Sequence, residues 1–161
     1  MTKKVPVQLV LNGEERAEFV ENGATLLEAL RGKFGDTSPK SGCRQGTCGA
    51  CSVLIDGELK LSCLILAEAC DGARIETTGG LARDGEMHPI QRAFLDGFAS
   101  QCGFCTPGMI MAAKALLDRK SDPSREDVIE AISGNICRCT GYEPIINAVL
   151  AAANSKTPVS A

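Results

Sequence analysis

The sequence has few of the residues that carry acid–base chemistry or large aromatic surface. It contains one His, no Trp, one Tyr and five Phe in 161 residues. No Ser-His-Asp set, phosphate-binding loop or paired-carboxylate site is recognisable, so we expect no substrate chemistry on this chain. Little aromatic area is available for a core, and small domains of this kind usually need a metal, a disulfide or a partner for stability.

The chain also lacks a basic stripe and a long apolar run. Its formal net charge is −3, and its Lys and Arg residues are interspersed with acidic ones, which argues against a nucleic-acid partner. No apolar segment approaches the roughly 18 residues that a membrane-spanning helix needs, and no signal region or twin arginine is present. We therefore expect a cytoplasmic location without membrane insertion.

Cysteine, by contrast, is abundant, with nine in the chain. Thiols stay reduced in the cytoplasm, so this number favours metal ligation over disulfides. The spacings Cys102-x2-Cys105 and Cys137-x-Cys139 are also too close for ordinary structural disulfides. Eight cysteines fall into two groups, and the ninth, Cys70, is expected to be a small buried apolar side chain.

The first half of the sequence carries the signals of two β-hairpins and a helix. Asn12-Gly13 and Asp56-Gly57 each separate two short apolar-rich runs, the pattern of a two-residue hairpin turn. Thr25 and Glu28 form a capping box that opens a helix after the first hairpin. A hairpin followed by a helix is how a β-grasp domain starts, and we predict such a ferredoxin-like domain over residues 1–80.

Beyond residue 80 the pattern becomes helical. Helix starts are predicted at Pro89, at Thr106-Pro107 and at Ser124, and a fourth apolar repeat lies near the C-terminus. The first of these helices carries apolar residues at helical spacing, namely Ile90, Phe94, Leu95 and Phe98. Four helices with short connections predict a four-helix bundle over residues 81–161, ending in a short C-terminal tail. The predicted fold class is therefore α+β.

Four cysteines in the first half have the spacing of a plant-type [2Fe-2S] site. Cys43-x4-Cys48-x2-Cys51 lies in a Gly-rich loop, and Cys63 follows the second hairpin. We call these four residues the first cysteine set. Nearby glycines permit positive φ, so the loop can curl around a cluster and aim N–H groups at its sulfurs; they are Gly42, Gly46 and Gly49. A zinc loop is the alternative, although zinc sites favour two separate knuckles.

The second cysteine set consists of Cys102, Cys105, Cys137 and Cys139. Its members lie at loop-to-helix junctions, where unpaired N–H groups and the positive end of the helix dipole favour an anionic cluster. A zinc site stays open for this set, because zinc also binds two cysteine pairs. A Rieske centre is excluded, since it needs two histidines and His88 is the single one.

Both sets and their flanking residues closely resemble one known family. The segments Gly42-Cys43 to Cys51 and Gln101-Cys102-Gly103-Phe104-Cys105 to Cys137-Arg138-Cys139-Thr140-Gly141-Tyr142 are similar to those of the small iron–sulfur subunit of molybdenum hydroxylases, the xanthine dehydrogenase and carbon monoxide dehydrogenase family. Order, spacing and flanking residues agree for all eight cysteines. The resemblance implies a β-grasp domain whose first cysteine set holds one [2Fe-2S] cluster, and a helical domain whose second set holds another.

The resemblance also implies that the chain is one subunit of an oxidoreductase whose substrate is oxidised on another chain. It implies a large subunit with a molybdopterin-type molybdenum cofactor, a medium subunit with FAD, and an αβγ hetero-oligomer or its dimer. Gln101 matches a glutamine that contacts the pterin, and Cys139 matches the ligand closest to it. Single electrons would pass from molybdenum through the second and then the first cluster to the flavin, or to a cytochrome in its place.

Arg44 departs from the family pattern, where this position is often acidic. A cation one residue from Cys43 should favour the reduced cluster and raise its potential. Two alternatives to the family function are a free-standing two-cluster ferredoxin and a zinc-stapled interaction protein. The substrate is selected by the large subunit, so purines, N-heteroaromatics, aldehydes, carbon monoxide and aromatic acyl-CoA thioesters all suit this chain.

Overall fold

The structure, a computed structural model, describes residues 3–155. Within them, one sheet and five α-helices make the α+β fold that the sequence predicts. The strands are β1 (Lys4–Leu11), β2 (Glu14–Glu21), β3 (Ser52–Ile55), β4 (Glu58–Leu61) and β5 (Arg74–Glu76). The helices are α1 (Leu26–Gly32), α2 (Pro89–Asp96), α3 (Thr106–Arg119), α4 (Arg125–Ile132) and α5 (Glu143–Ala153).

The sheet is built from the two predicted hairpins. Both turn sequences adopt positive φ at both central residues, 53° and 90° at Asn12-Gly13 and 51° and 83° at Asp56-Gly57. This is the turn whose twist matches that of the flanking strands. Strand β5 joins the hairpins because it pairs parallel to β1 and antiparallel to β3, giving the order β2-β1-β5-β3-β4.

Helix α1 begins where the capping box predicts. The Glu28 N–H donates to Thr25 Oγ1 over 3.2 Å, and the Thr25 N–H donates to the Glu28 carboxylate over 3.0 Å. The helix buries one apolar face against the sheet, where it meets a core that includes Val7, Leu9, Val20, Phe34, Val53 and Ile75. This packing fixes the start of the loop that carries three members of the first cysteine set.

The four later helices share a second core. Helix α3 is its centre, with every residue from Gly108 to Leu117 buried, while α2 packs on α5 and α4 packs on α3 and α5. His88 caps α2, with its ring nitrogen accepting the Ile90 N–H, and is buried. Helix α2 ends at Asp96, and this leaves Phe98 outside the helix and 83% exposed rather than in the core.

The sheet and the helices are in direct contact. Leu54 of β3 belongs to the same core as the α3 residues, and the Thr78 hydroxyl donates to the Pro107 carbonyl over 2.9 Å. The buried Lys114 of α3 pairs with Asp118 at 2.7 Å and with Glu76 of β5 at 3.8 Å. A division of the chain at residue 80 stays a prediction, and most of the predicted tail, residues 156–161, lies outside the described residues. Between residues 3 and 155 no helix is long and apolar enough to cross a bilayer.

Candidate metal centres

The first cysteine set comes together where the loop after α1 meets the end of β4. Cys43, Cys48 and Cys51 lie on that loop, and Cys63 lies in a 3₁₀ turn immediately after β4. The N–H and the hydroxyl of Ser62 both donate to the Cys51 carbonyl, over 3.3 and 2.7 Å, which holds the Cys63 turn beside the loop. Cys51 and Cys63 are buried, whereas Cys43 and Cys48 are half-buried.

Electrostatics favour a thiolate at Cys43. The Thr47 hydroxyl, with the Gln45 N–H next in importance, lowers the pKa of Cys43 to about 5. Two backbone N–H groups point at this sulfur, from Thr47 at 3.3 Å and from Gln45 at 3.5 Å. Burial raises the pKa of Cys63, and the adjacent Cys51 thiol adds to that increase. The four thiols therefore lie close together, and at least one of them, Cys43, is favoured in the thiolate form.

The predicted glycines act in two different ways. Gly46 and Gly49 adopt positive φ, 81° and 69°, as expected for a loop that curls. Gly42 is not among the residues with positive φ, so the predicted reason for this glycine is wrong. Its role is close approach, because a Cβ at Gly42 would lie 2.8 Å from Cys48 Sγ. The space beside that sulfur is therefore reserved by the absence of a side chain.

The second cysteine set lies at one end of the helical half. Cys102 precedes α3, Cys105 caps it, and Cys137 and Cys139 lie in the turn between α4 and α5. The sequence predicts a start at Thr106-Pro107, and Thr106 is the first residue of the helix; the Cys105 side chain makes no capping hydrogen bond. Cys102 and Cys139 are exposed, whereas Cys105 and Cys137 are half-buried. One edge of this set therefore faces away from the chain.

The thiols of the second set interact across the two pairs. Burial, followed by the Cys137 thiol, raises the pKa of Cys105 to about 12. Burial alone would raise the pKa of Cys137, but hydrogen bonds from the hydroxyl and N–H of Thr140, helped by the Cys139 N–H and the Cys105 thiol, outweigh it and lower that pKa. Thr140 donates to Cys137 Sγ from its hydroxyl at 3.1 Å and from its N–H at 3.4 Å. The Cys102 thiol raises the pKa of Cys139, so the exposed pair is in contact too.

The donor set fits a binuclear cluster. All nine cysteines are free thiols, and in the described part of the chain no three Cys, His, Asp or Glu side chains converge to hold one metal ion. A [2Fe-2S] cluster is compatible with this spread, because its four thiolates are divided between two irons. Backbone and hydroxyl donors on Cys43 and Cys137 would stabilise the negative charge that such a cluster adds.

Gln101 and Arg44 lie on the surface beside the two sets. Gln101 is exposed next to the exposed Cys102. Arg44 has φ 56°, donates from Nε to Ser41 Oγ over 2.9 Å, and approaches the Glu28 carboxylate at 3.8 Å. The Arg44 charge is therefore paired rather than isolated. Cys70 is buried under the sheet, as predicted, and lies in the core of the strands rather than in either set.

Contacts between the two sets were not predicted from the sequence. The Ile136 N–H donates to the Cys48 carbonyl over 2.9 Å, and the Asn135 side-chain amide donates to the Gly49 carbonyl over 3.0 Å. The Tyr142 hydroxyl accepts from the Cys137 N–H at 2.9 Å and donates to the Asn135 carbonyl at 3.3 Å. The only sequence feature that could have indicated a role for Asn135 is its place two residues before Cys137. Its partner Gly49 is too far away in the sequence to be predicted from it.

Comparisons with known proteins cover both halves. The family described as 2Fe-2S iron-sulfur cluster binding domain matches residues 9–82, and the family described as [2Fe-2S] binding domain matches residues 77–150. The chain is 49% identical to the nicotinate dehydrogenase small FeS subunit of Eubacterium barkeri, over 91% of this chain and 93% of that one. It is 40% identical to the xanthine dehydrogenase iron-sulfur-binding subunit of Escherichia coli O157:H7, over 92% and 94% of the two chains.

Solved structures agree with these relatives. A crystal structure of quinoline 2-oxidoreductase from Pseudomonas putida 86 superposes with a TM-score of 0.92 at 44% identity, covering 94% of this chain and 95% of that chain. The aldehyde oxidoreductase of Desulfovibrio desulfuricans ATCC 27774 gives a TM-score of 0.88 at 43% identity, over 92% of this chain. The match spans only 17% of that longer chain.

Proposed function

The chain belongs to the family of small iron–sulfur subunits of molybdenum hydroxylases, and from that premise we propose that it conducts single electrons through two [2Fe-2S] clusters between partner subunits. The first cysteine set would hold one cluster in a β-grasp domain, residues 1–80. The second would hold the other in a four-helix-bundle domain, residues 81–161. When bound, each cluster supplies a one-electron carrier.

One observation carries this proposal, the direct contact between the loops of the two sets. The hydrogen bond from Ile136 to Cys48 joins a residue that adjoins Cys137 to a member of the first set. Electron transfer between two clusters requires such proximity, whereas two purely structural sites do not depend on it. The residues around the sulfurs have a second task, because donors such as Thr47 and Thr140 stabilise the reduced form and so raise the potential.

The exposed edge of the second cysteine set gives the proposed direction. Gln101, Cys102 and Cys139 are all exposed there, which suits a surface that meets a large subunit and its molybdopterin-type cofactor. The first set would then face a medium subunit with FAD, or a cytochrome, in a cytoplasmic αβγ complex or its dimer. The aldehyde oxidoreductase supports a large partner, since there the similar region is part of a much longer chain.

The substrate is set outside this chain. Relatives of similar identity are named for different substrates, with 49% for a nicotinate dehydrogenase subunit, 45% for an aldehyde oxidoreductase and 41% for a caffeine dehydrogenase subunit. If the small subunit selected the substrate, relatives that act on different substrates would be expected to differ clearly in their identity to this chain. We assign the chain the electron-transfer step alone.

Metal and chain analysis of the purified protein tests the proposal. We expect about four iron and about four sulfide per chain, two distinct [2Fe-2S] EPR signals on dithionite reduction, and co-purifying chains that contain molybdenum and flavin. Zinc in a colourless protein would overturn it in favour of an interaction protein. Two clusters in a stable monomer without molybdenum partners would favour a free-standing ferredoxin.

A further inference from the structure

Asn135 is a buried polar residue at the junction of the two cysteine sets. Asn135 is only 4% exposed, and its side-chain amide donates to the carbonyl of Gly49, which lies 86 positions earlier in the sequence. Its own N–H donates to the Ile132 carbonyl at the end of α4 over 2.9 Å. A buried amide with such partners is costly to displace, because its donors would lose their acceptors away from water.

Two glycines leave the space that Asn135 occupies. A Cβ at Gly49 would lie 2.5 Å from Asn135 Nδ2 and 2.6 Å from the Gly134 carbonyl oxygen. A Cβ at Gly108 would overlap the Gly49 carbonyl oxygen and lie 3.1 Å from Asn135 Nδ2. The Gly49 carbonyl is also held by Ser52, whose hydroxyl donates to it over 2.7 Å. The contact between Asn135 and Gly49 is therefore tightly packed, with Gly108 and Ser52 also against the Gly49 carbonyl.

The contact between Asn135 and Gly49 is linked to members of both cysteine sets. Gly49 directly follows Cys48, and the Cys48 carbonyl accepts the Ile136 N–H. On the other side, the Tyr142 hydroxyl bridges the Asn135 carbonyl and the Cys137 N–H. A shift of Asn135 is thereby transmitted to Cys48 through one loop and to Cys137 through the other.

We propose that Asn135 is a positioning residue that fixes the separation of the two four-cysteine sites. This inference rests on the proposed function, since it concerns the distance between two clusters. Asn135 donates to the carbonyls of Gly49 and Ile132 and acts between the loops, so its loss should leave each cluster in place. What changes is how closely the second set is held against the first.

EPR of the purified complex, fully reduced with dithionite, tests this. When both clusters are reduced, each broadens the EPR signal of the other, and this magnetic interaction weakens steeply with distance. Asn135→Ala should therefore keep two cluster signals and about four iron per chain but lose this mutual broadening. Gly108→Ala, which presses on the Gly49 carbonyl from α3, should cause the same loss. Asn147→Ala is the matched control, because Asn147 is exposed on α5 and bonds to Arg125 and Glu143.

The outcomes separate this inference from the proposed function. Zinc or a single cluster in the wild-type complex refutes the function itself. Two clusters with unchanged broadening in both Asn135→Ala and Gly108→Ala overturn the positioning role while leaving the function intact. Loss of one cluster signal in Asn135→Ala also overturns it, because Asn135 would then shape the Cys137 loop rather than the separation. A partial return of the broadening in Asn135→Gln, which restores an amide donor, would support it.

Discussion

The backbone N–H of Ile136 lies 2.9 Å from the carbonyl oxygen of Cys48 and donates to it. This hydrogen bond joins the two halves of the chain at the residue before Cys137. Its amide is protected only while both loops keep their shape, and four thiolates bound to a cluster would hold each loop far more firmly than free thiols. With the proposed clusters bound, the amide would be a local probe of metal occupancy.

Removal of iron should open this contact. We expect hydrogen exchange at the Ile136 amide to accelerate on chelation, because binding energy that stabilises the loops is lost. The Val10 amide, which donates to the Ala73 carbonyl over 2.9 Å inside the sheet, serves as the reference and should change much less. Equal acceleration at both amides would indicate global unfolding and contradict a local role for the clusters.

Thr140 should set the potential of the second cluster. Thr140→Val removes a hydroxyl that donates to Cys137 Sγ over 3.1 Å, and the lost stabilisation of the reduced state should lower the potential. A hydrogen bond worth 0.5–1.5 kcal/mol corresponds to about 20–60 mV for one electron. An EPR-monitored redox titration measures the shift. Thr140→Ser keeps the hydroxyl and should stay near wild type, so equal shifts in the two variants would refute this explanation.

Gly42→Ala should impair the first site. The added Cβ would lie 2.8 Å from Cys48 Sγ, so the sulfur or the loop must move. Overpacking of this kind costs about 1–3 kcal/mol, and here part of the cost falls on a proposed ligand. We expect iron content to fall toward half, with loss of the first cluster's EPR signal. Gly32→Ala is the control, since its added Cβ would meet nothing within 4 Å beyond the neighbouring residues and backbone of its own helix. Full iron in both variants would contradict the prediction.

The Arg44 and Glu28 pair should act on the first cluster's potential in opposite directions. Arg44→Gln removes the cation near Cys43 and should lower the potential of the first cluster. Glu28→Gln removes the carboxylate that lies 3.8 Å from the Arg44 guanidinium and should raise that potential. Both groups are exposed, so each shift should be small, about 10–40 mV. The Gln side chain at residue 28 can still accept from the Thr25 N–H, which keeps the helix cap. Shifts of the same sign in a redox titration would rule out a charge effect.

Local chemistry determined how far the sequence could predict this structure. The Asn12-Gly13 and Asp56-Gly57 turns and the Thr25–Glu28 cap were confirmed because each depends on neighbouring residues alone. The Asn135–Gly49 contact was missed because its partners are 86 positions apart and their pairing is decided by packing between the halves.

The end of α2 was also misjudged, since periodicity does not show where a helix stops. The pattern extended the apolar face to Phe98, but the helix ends at Asp96 and the chain turns away. The assignment of the eight cysteines as ligands, and of Gln101 as a pterin contact, rests on spacing and resemblance and stays a prediction.

Phe98 offers a final prediction, because it combines two unfavourable features. It follows Gly97 at the end of α2 in the left-handed region, with φ 51°, and its ring is 83% exposed. The N–H of the next residue, Ala99, donates to the Phe94 carbonyl over 2.9 Å, so the turn is a helix stop of the kind that glycine usually forms. A bulky side chain gains nothing there within this chain.

Phe98→Gly should therefore stabilise the purified chain by about 1 kcal/mol, which raises Tm by about 2–4 °C at this size. Thermal unfolding followed by circular dichroism measures it. Phe98→Ala separates the two causes, because it removes the exposed ring but keeps a Cβ at positive φ, so little gain is expected. A gain in Phe98→Ala equal to that in Phe98→Gly would show that exposure, not backbone strain, is the source. No gain in either would mean that the left-handed turn carries no cost at this position.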